Sequence, residues 1–254
     1  MKDMRYIKEL LEKGQRADGR KLDEFRKVEI ETNPYEKPEG CAIVSIGKTK
    51  VMAGVKMDVG EPFSDRPDEG VLMVNAELSP LASPDFETGP PRVESIELAR
   101  VVDRGIRESQ VLDLKKLCIT PGEKVWMVFI DLQIINHDGN LINAAGLAAI
   151  SALMNTRMPE YKDDKVNYTK KSKKLPTKTE PVPVIVSKVG EHLLVDADVT
   201  EEELIKTALV VTTDDDGNIC ALQKLGTEGL GEDDVLKMWG MAVKKCEELR
   251  KLLK

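Results

Sequence analysis

Two successive blocks of β-branched runs, each followed by a helical pattern, constrain most strongly what this chain can fold into. In the first block the runs cover 28–30, 41–46, 50–57 and 71–78. Clusters of Gly, Pro and Asp separate them, which predicts the strands of an antiparallel sheet. A helical pattern at 92–111, a β-forming run at 124–135 and a small-residue helix at 144–154 follow.

The second block repeats this plan. Strand-like runs cover 182–186, 192–195, 209–213 and 219–222, and a long helical pattern covers 233–253. A short helix is predicted at 201–206 with Thr200 as its N-cap, and a hairpin turn at 214–217. Together with an amphipathic helix at 4–13, the pattern predicts an α+β fold with pseudo-duplicated β-sheet and helix layers.

The domain organisation follows from this repetition. We interpret 1–254 as a single domain with an N-terminal half at 1–158 and a C-terminal half at 182–254 that ends in a long helix. The segment 159–181 is rich in Lys, Asp and Pro, and we interpret it as a charged, solvated connector. Its lysines, among them Lys170, Lys171, Lys173 and Lys174, offer an alternative role in contacting RNA.

Composition limits the classes of function. The 254 residues carry a net charge of −7, which argues against coating nucleic acid through bulk positive potential, so any such contact must be local. No apolar run approaches the roughly 18 residues that span a bilayer, and the first residues lack a signal-peptide core. We therefore expect a cytoplasmic protein without a membrane contact.

Metal and nucleophile chemistry find little support in the sequence. The four cysteines, Cys41, Cys118, Cys220 and Cys246, lack the short paired spacing of a zinc site and are expected to be reduced and mostly buried. His137 and His192 are the only histidines, and no Gly-x-Ser-x-Gly signature occurs. We predict no metal site in this chain.

Three arginines share one face of the helix at 92–111. Arg100, Arg104 and Arg107 lie at i, i+4 and i+7, so their guanidinium groups point the same way and could hold phosphates. The alternative is a set of ion pairs with Glu97, Asp103 or Glu108. The opposite side of this helix should carry its apolar residues, which we predict to be Val93, Ile96, Val101 and Ile106.

Four segments in order resemble RNase PH-type proteins over nearly the whole chain. They are Arg-Ala-Asp-Gly-Arg at 16–20, Glu-Leu-Ala-Arg at 97–100, Asp-Gly-Asn at 138–140 with its Ala-Ala-Gly helix, and Leu-Val-Asp-Ala-Asp-Val-Thr-Glu-Glu-Glu at 194–203. Within that family the chain looks most like a non-catalytic subunit of the archaeal exosome ring. The resemblance implies an RNase PH-like α+β fold.

The resemblance also implies partners and a reaction. The ring would be a hexameric trimer of heterodimers with a catalytic RNase PH-like paralogue, joined by RNA-binding cap proteins. Its reaction is phosphorolysis, in which inorganic phosphate attacks the last phosphodiester of an RNA 3′ end and releases a nucleoside diphosphate. Such a reaction depends on positioning two anionic groups, and on a carboxylate for proton transfer or for holding a metal. Phosphate and, as one option, a divalent metal would act at the partner's site, and this chain would carry no cofactor.

Two features of active relatives are missing from this sequence. Those proteins resemble one another in a Gly-Ser/Thr-Arg turn that holds the attacking phosphate at a helix start, where this chain has Asn-Leu-Ile-Asn at 140–143. Their catalytic Asp corresponds to a stretch that here reads Ile-Lys-Thr-Ala-Leu at 205–209. We interpret Glu201, Glu202 and Glu203 as a solvated acidic turn. The chain is therefore expected to have no catalytic residues.

In contrast to these two missing features, the arginines on the helix at 92–111 are present. The resemblance implies that Arg100 and Arg104 contact the RNA backbone beside the partner's active site, with weaker support for Arg107. Arg66, in the polar loop at 61–70, either faces the central pore or is an ordinary loop residue. Arg16 and Arg20 should support the fold or the ring interface. Two alternatives remain: an autonomous phosphorolytic exoribonuclease using Asp196 or Asp198, and a structural scaffold whose arginines bridge subunits.

Overall fold

The computed structural model describes residues 4–253. Its helices are α1 (Met4–Glu12), α2 (Val93–Glu108), α3 (Leu141–Met154), α4 (Val199–Glu202) and α5 (Glu232–Arg250), with short 3-10 helices at Leu114–Leu117 and Lys251–Leu253. Its strands are β1 (Val28–Thr32), β2 (Gly40–Ile46), β3 (Thr49–Gly60), β4 (Val71–Leu78), β5 (Cys118–Thr120), β6 (Lys124–Asn136), β7 (Arg157–Lys162), β8 (Lys165–Lys174), β9 (Val182–Val189), β10 (His192–Val195), β11 (Thr207–Thr213) and β12 (Ile219–Gly226). The predicted α+β class is confirmed.

The N-terminal sheet has the strand order β1-β2-β3-β6-β4, with β5 paired to β6. The prediction of an antiparallel sheet is wrong for β4, which runs parallel to β6. The reason is the connection between these two strands, which contains α2. A connection of that length can carry the chain back to the end of the sheet at which β4 begins, so that β6 can run parallel to β4. A hairpin cannot do this.

The C-terminal sheet has the order β10-β9-β11-β12, and all its pairs are antiparallel. The four predicted strands and the hairpin turn before β12 are confirmed. The predicted terminal helix is confirmed as α5, which packs on β9 and β11. Met238, Ala242, Cys246 and Leu249 are its buried apolar side chains, whereas Leu236 and Trp239, which share the apolar pattern, stay exposed.

Helix α3 joins the two sheets. It packs on β2 and β3 of the first sheet and on β9 of the second, and its residues from Asn143 to Leu153 are all buried. Small side chains allow this close packing: a Cβ on Gly146 would lie 2.3 Å from Cγ of Pro183. One continuous apolar core therefore runs through both halves.

The segment predicted as a connector contains a β-hairpin. Strands β7 and β8 pair with each other in a separate two-stranded sheet, and the turn between them places Asp163 and Asp164 in the left-handed region. Nearly every residue of β8 is exposed, including its lysines. The hairpin therefore lacks the apolar alternation by which strands are predicted from sequence.

Two helix predictions need correction. In α2, Val93 and Ile96 are 75% and 46% exposed, so the predicted apolar side is wrong at these positions. The buried side is instead formed by Ser95, Leu98, Ala99, Val101, Val102, Gly105 and Ile106. Helix α4 is capped by Asp198 and not by Thr200, because the Asp198 carboxylate accepts hydrogen bonds from the N–H groups of Thr200 and Glu201.

Within residues 4–253, none of the helices combines the length and the apolar character needed to cross a bilayer.

Candidate functional site

Arg100 is the most available of the three arginines on α2. Its side chain is exposed, and it makes no hydrogen bond or ion pair with any other residue in the part of the chain that the structure describes. The helix is held in place by packing against β4, α3 and β12. A rigid element thus presents a free guanidinium, which is the group best suited to bidentate phosphate contacts.

Arg104 and Arg107 have partners within the chain. Arg104 is half-buried and donates a 2.9 Å hydrogen bond from Nη1 to Oε1 of Gln223 on β12. Arg107 donates to the Asp103 carboxylate at 2.7 Å and to the backbone carbonyl of Leu72 at 3.1 Å. The alternative of an ion pair with Asp103 is therefore realised for Arg107, whereas Arg104 uses a neutral amide.

Arg66 lies in the exposed loop between β3 and β4, which is confirmed as a loop. Its guanidinium is 3.7 Å from the Glu69 carboxylate. The same cleft is lined by Arg107, Lys115 and Lys178. The structure thus brings Arg66 and Arg107 to one partly basic cleft, while Arg100 is not part of it.

The turn before α3 carries no cationic side chain. Asn140 is the N-cap residue and adopts the left-handed conformation, with φ of 59°. Its backbone N–H donates a 2.7 Å hydrogen bond to Oε1 of Glu202. Gly139 needs its positive φ of 84°, and a Cβ there would lie 2.4 Å from the carbonyl oxygen of Ala197. The turn is therefore packed against the segment that precedes α4.

Asp196 is buried at the centre of a hydrogen-bond network. Its carboxylate accepts from Arg20 at 2.8 Å, from Arg26 at 2.7 Å and from the Asn140 amide at 2.7 Å. Burial alone would raise the pKa of the Asp196 carboxyl, but the hydrogen bond and charge of Arg26 lower it below its usual value. Asp196 is an ionised structural group with its oxygens already occupied.

The acidic turn at 201–203 is not solvated as predicted. Glu201 is buried and forms an ion pair with Arg16, with 2.9 Å between Nε and Oε1. Glu202 is half-buried, and burial raises the pKa of its carboxyl to about 7. Glu203 alone is exposed. The turn faces inward because the loop before α4 folds back on Arg16 and on the α3 turn.

Arg16 and Arg20 support the fold, as one branch of the prediction had it. Besides its pair with Glu201, Arg16 donates to the carbonyls of Val195 and Asp196 at 3.0 and 2.7 Å. These bonds fasten the segment after α1 to the C-terminal half. Arg20 adds its bond to the Asp196 carboxylate.

Sequence reasoning missed Arg26. Its guanidinium bridges Asp196 and the Asp138 carbonyl, the latter at 2.6 Å, and so joins the C-terminal half to the α3 turn. No local signal identifies it, because a charged residue before a strand is common and its main partner is 170 residues away. Only the three-dimensional structure shows that Arg26 is the central cation of this network.

Other chemistry is sparse. Of the four cysteines, Cys41 and Cys246 are buried and the other two are half-buried. His137 stacks on Phe86 with 5.4 Å between ring centroids, and burial lowers its pKa. Among residues 4–253, no three His, Cys, Asp or Glu side chains are grouped in a way that could hold a metal ion.

Comparison with known proteins defines the class. The model of the 3′ exoribonuclease (RNase PH) family matches residues 24–159 with its first domain and residues 179–245 with its second. The chain belongs to this family, and the predicted RNase PH-like fold is confirmed.

Relatives of this chain within the family include exosome components of archaea. The exosome complex component Rrp42 of Archaeoglobus fulgidus is 49% identical over 249 residues, covering 98% of this chain and 95% of the relative. The Rrp42 of Thermococcus gammatolerans is 48% identical over 251 residues, covering 97% and 92%.

Chains in solved structures of archaeal exosomes are also similar to this chain. A chain of the Archaeoglobus fulgidus exosome with RNA bound to the active site superimposes with a TM-score of 0.93 at 49% identity, covering 99% of this chain and 97% of that chain. A chain of an archaeal exosome core has a TM-score of 0.89 at 44% identity, with coverage of 98% and 95%.

Proposed function

We propose that this chain is a non-catalytic subunit of an archaeal exosome ring, which binds RNA and completes the composite active site of a catalytic paralogue. That paralogue degrades RNA from the 3′ end by phosphorolysis, in a hexameric trimer of heterodimers with RNA-binding cap proteins. The near full-length similarity to exosome components supports the assembly. This chain would hold no cofactor. Phosphate, together with any divalent metal, would act at the partner's site. The complex would work in the cytoplasm.

One observation carries the non-catalytic role: Asp196 and Asp198, the two carboxylates that the enzymatic alternative would use, already accept hydrogen bonds within the chain. Asp196 is held by Arg20, Arg26 and Asn140. Asp198 caps α4 through two 2.9 Å hydrogen bonds from backbone N–H groups. A general acid or base must reach the reacting proton, whereas the Asp196 oxygens and Oδ1 of Asp198 already accept hydrogen bonds that hold the structure. The autonomous enzyme that would use either residue is therefore disfavoured.

The RNA-binding role rests on Arg100. A backbone phosphate carries no base information, so one exposed guanidinium on a rigid helix can bind RNA of any sequence. Arg104 can add a second contact while keeping its bond to Gln223, because a guanidinium has five N–H donors. Concentrating RNA contact on one helix also explains how a chain of net charge −7 can hold a polyanion.

Reconstitution tests the proposal. The chain, its catalytic paralogue and their mixture would each be given RNA and inorganic phosphate, and the release of nucleoside diphosphates measured. Activity only in the mixture supports the proposal, because the composite site then needs both chains. Release by this chain alone would reject the non-catalytic role and return attention to Asp196 and Asp198.

Charge reversal at Arg100 distinguishes the RNA-binding role from the scaffold alternative, in which the arginines bridge subunits. Arg100→Glu should leave the mass of the ring unchanged by light scattering while RNA affinity falls. Loss of the ring before any change in RNA affinity would instead assign Arg100 to a subunit contact. Arg157→Glu, at an exposed position on β7, is the matched control for the change in net charge.

A further inference from the structure

The N-terminus of α3 offers backbone donors that can hold an anion. The helix has 14 residues, and the first N–H groups of a helix lack intrahelical partners and carry the positive end of its dipole. Backbone donors at such an end hold phosphate or carboxylate groups without further help. In this chain, however, the N-cap does not use its own side chain to satisfy the helix start.

The position is occupied from within the chain. Oε1 of Glu202, on α4, accepts the backbone N–H of Asn140 at 2.7 Å. The two residues are 62 positions apart, so the contact is tertiary and not a local cap. The Glu202 side chain borders two clefts, one lined by Leu78, Phe86 and Leu141 and the other by Ala197, Ile205 and Ala208. Asn140 lines both clefts as well, so the Glu202 carboxylate lies where an anion entering either cleft would meet the helix start.

A second carboxylate of the chain binds the same residue. The Asn140 side chain is buried, its Nδ2 donates to Asp196 at 2.7 Å, and its Oδ1 is the one buried side-chain oxygen or nitrogen in residues 4–253 without a hydrogen-bond partner. Two donors of Asn140, the side-chain amide and the backbone N–H, are therefore each bound to a carboxylate of the chain. Asp196 takes the side-chain donor and Glu202 takes the backbone donor.

We propose that the Glu202 carboxylate is a built-in ligand of the α3 N-terminus and keeps inorganic phosphate and similar oxyanions out of this chain. The proposal deepens the proposed function and rests on it, since it explains why a ring subunit of this family would not compete with its partner for phosphate. Exclusion works in two ways. The carboxylate occupies the Asn140 donor, and its negative charge repels a second anion at close range.

Glu202 is set in a charged neighbourhood. Arg26 before β1 and Asp196 and Asp198 before α4 act on its charge, and Glu94 and Glu97 on α2 and His137 before α3 line the same cleft. Most of them are acidic, so an incoming oxyanion would gain attraction only from the helix end and Arg26. Removing the Glu202 charge is therefore the change that should expose the site.

The test measures anion binding by the full-length chain. Sulfate serves as the probe at pH 8, because its charge does not change near neutral pH, and phosphate is then compared. Binding is read from the 15N-labelled amide of Asn140 during titration. Glu202→Ala should bind sulfate at least about tenfold more tightly than the unmodified chain, a change within the reach of about 1.4 kcal/mol, and the Asn140 amide should shift on binding.

Two further variants make the result decisive. Glu203→Ala removes the same charge from the adjacent exposed residue and should leave sulfate affinity unchanged. Glu202→Gln keeps the shape and the acceptor oxygen, so it serves if the alanine variant does not fold, and it should bind sulfate more tightly than the unmodified chain. Equal affinities in the unmodified chain and both Glu202 variants would overturn the proposal, as would an equal gain from Glu203→Ala. The non-catalytic role would survive either result, since it is judged by nucleoside diphosphate release.

Discussion

Arg16 and Glu201 form a bidentate ion pair in the protein interior although 185 residues separate them. The pair is almost fully shielded from solvent. It ties the segment after α1 to the start of α4, and the same arginine also donates to two carbonyls at the end of β10.

Breaking this pair should strongly destabilise the protein. Arg16→Met leaves the Glu201 carboxylate buried without its cation, and losses of this kind cost about 3–5 kcal/mol. The free energy of unfolding from urea denaturation measures the effect. As a control, Glu29→Gln interrupts the exposed pair with Lys27 and should leave the midpoint unchanged. Similar midpoints for both variants would show that the buried pair is not a fastening point.

Arg100→Ala should weaken RNA binding by the assembled ring more than the same change at its neighbours. Loss of a phosphate contact lowers affinity for all sequences alike. It also reduces the slope of log Kd against the logarithm of the salt concentration by about one. Fluorescence anisotropy with two unrelated RNA sequences at several salt concentrations provides the measurement. Arg157→Ala is the control, and an equal loss there would mean that only net charge matters.

Arg104→Ala should also weaken RNA binding and slow the complex without dissolving the ring. Arg107→Ala should have the smallest effect of the three on RNA, because its guanidinium is engaged by Asp103 and the Leu72 carbonyl. It should instead lower the melting temperature. A loss of RNA affinity at Arg107 as large as at Arg100 would contradict this order.

Glu202 should make the protein less stable as pH rises. Its pKa is raised from an ordinary value near 4.5 to about 7 in the folded state, so between these values the folded chain binds more protons than the unfolded chain. Stability from this group is therefore complete below pH 4.5, is lost as pH rises to 7, and stays flat above. Glu202→Gln should remove that dependence, with a gain over the unmodified chain of up to about 3 kcal/mol at pH 8.

Urea denaturation of the two proteins from pH 4.5 to 8 gives this difference directly. Titrating groups that do not interact with Glu202 contribute equally to both curves and cancel. Glu203→Gln should follow the unmodified chain at every pH. A constant difference between the Glu202→Gln and unmodified curves would contradict the raised pKa.

Cys246 should be inert to thiol reagents in the folded protein. Burial raises the pKa of its thiol to about 11, which leaves on the order of one thiolate in a thousand at pH 8. Mass spectrometry after iodoacetamide treatment should find Cys118 and Cys220 modified first, and all four cysteines modified in urea. Early modification of Cys246 would show that α5 opens readily from the sheet.

The sequence predicts those elements that bury a regular apolar pattern. Strands β2, β3 and β6 and helix α3 could be predicted because the core selects their residues. The hairpin of β7 and β8 could not, since its exposed residues carry no such pattern. Val93 and Ile96 mislead for the opposite reason: they are apolar but exposed, and periodicity cannot distinguish them from core residues.

The candidate site divides in the same way. The three arginines of α2 are visible because their spacing is local. The roles of Arg26, Glu201 and Glu202 are not, because their partners lie 170, 185 and 62 residues away. A carboxylate in an acidic turn is ordinarily solvated, and only the folded chain shows that two of the three at 201–203 face inward.

The distance along the chain between Arg16 and Glu201 also sets an order of events during synthesis. At about 5–20 residues per second, Glu201 leaves the ribosome roughly 10–40 s after Arg16. The N-terminal sheet and α3 can assemble in that interval, but the segment after α1 must wait for its anion. The beginning of the chain is therefore among the last parts to reach its final place, and a nascent chain stalled before α4 would still carry that segment loose.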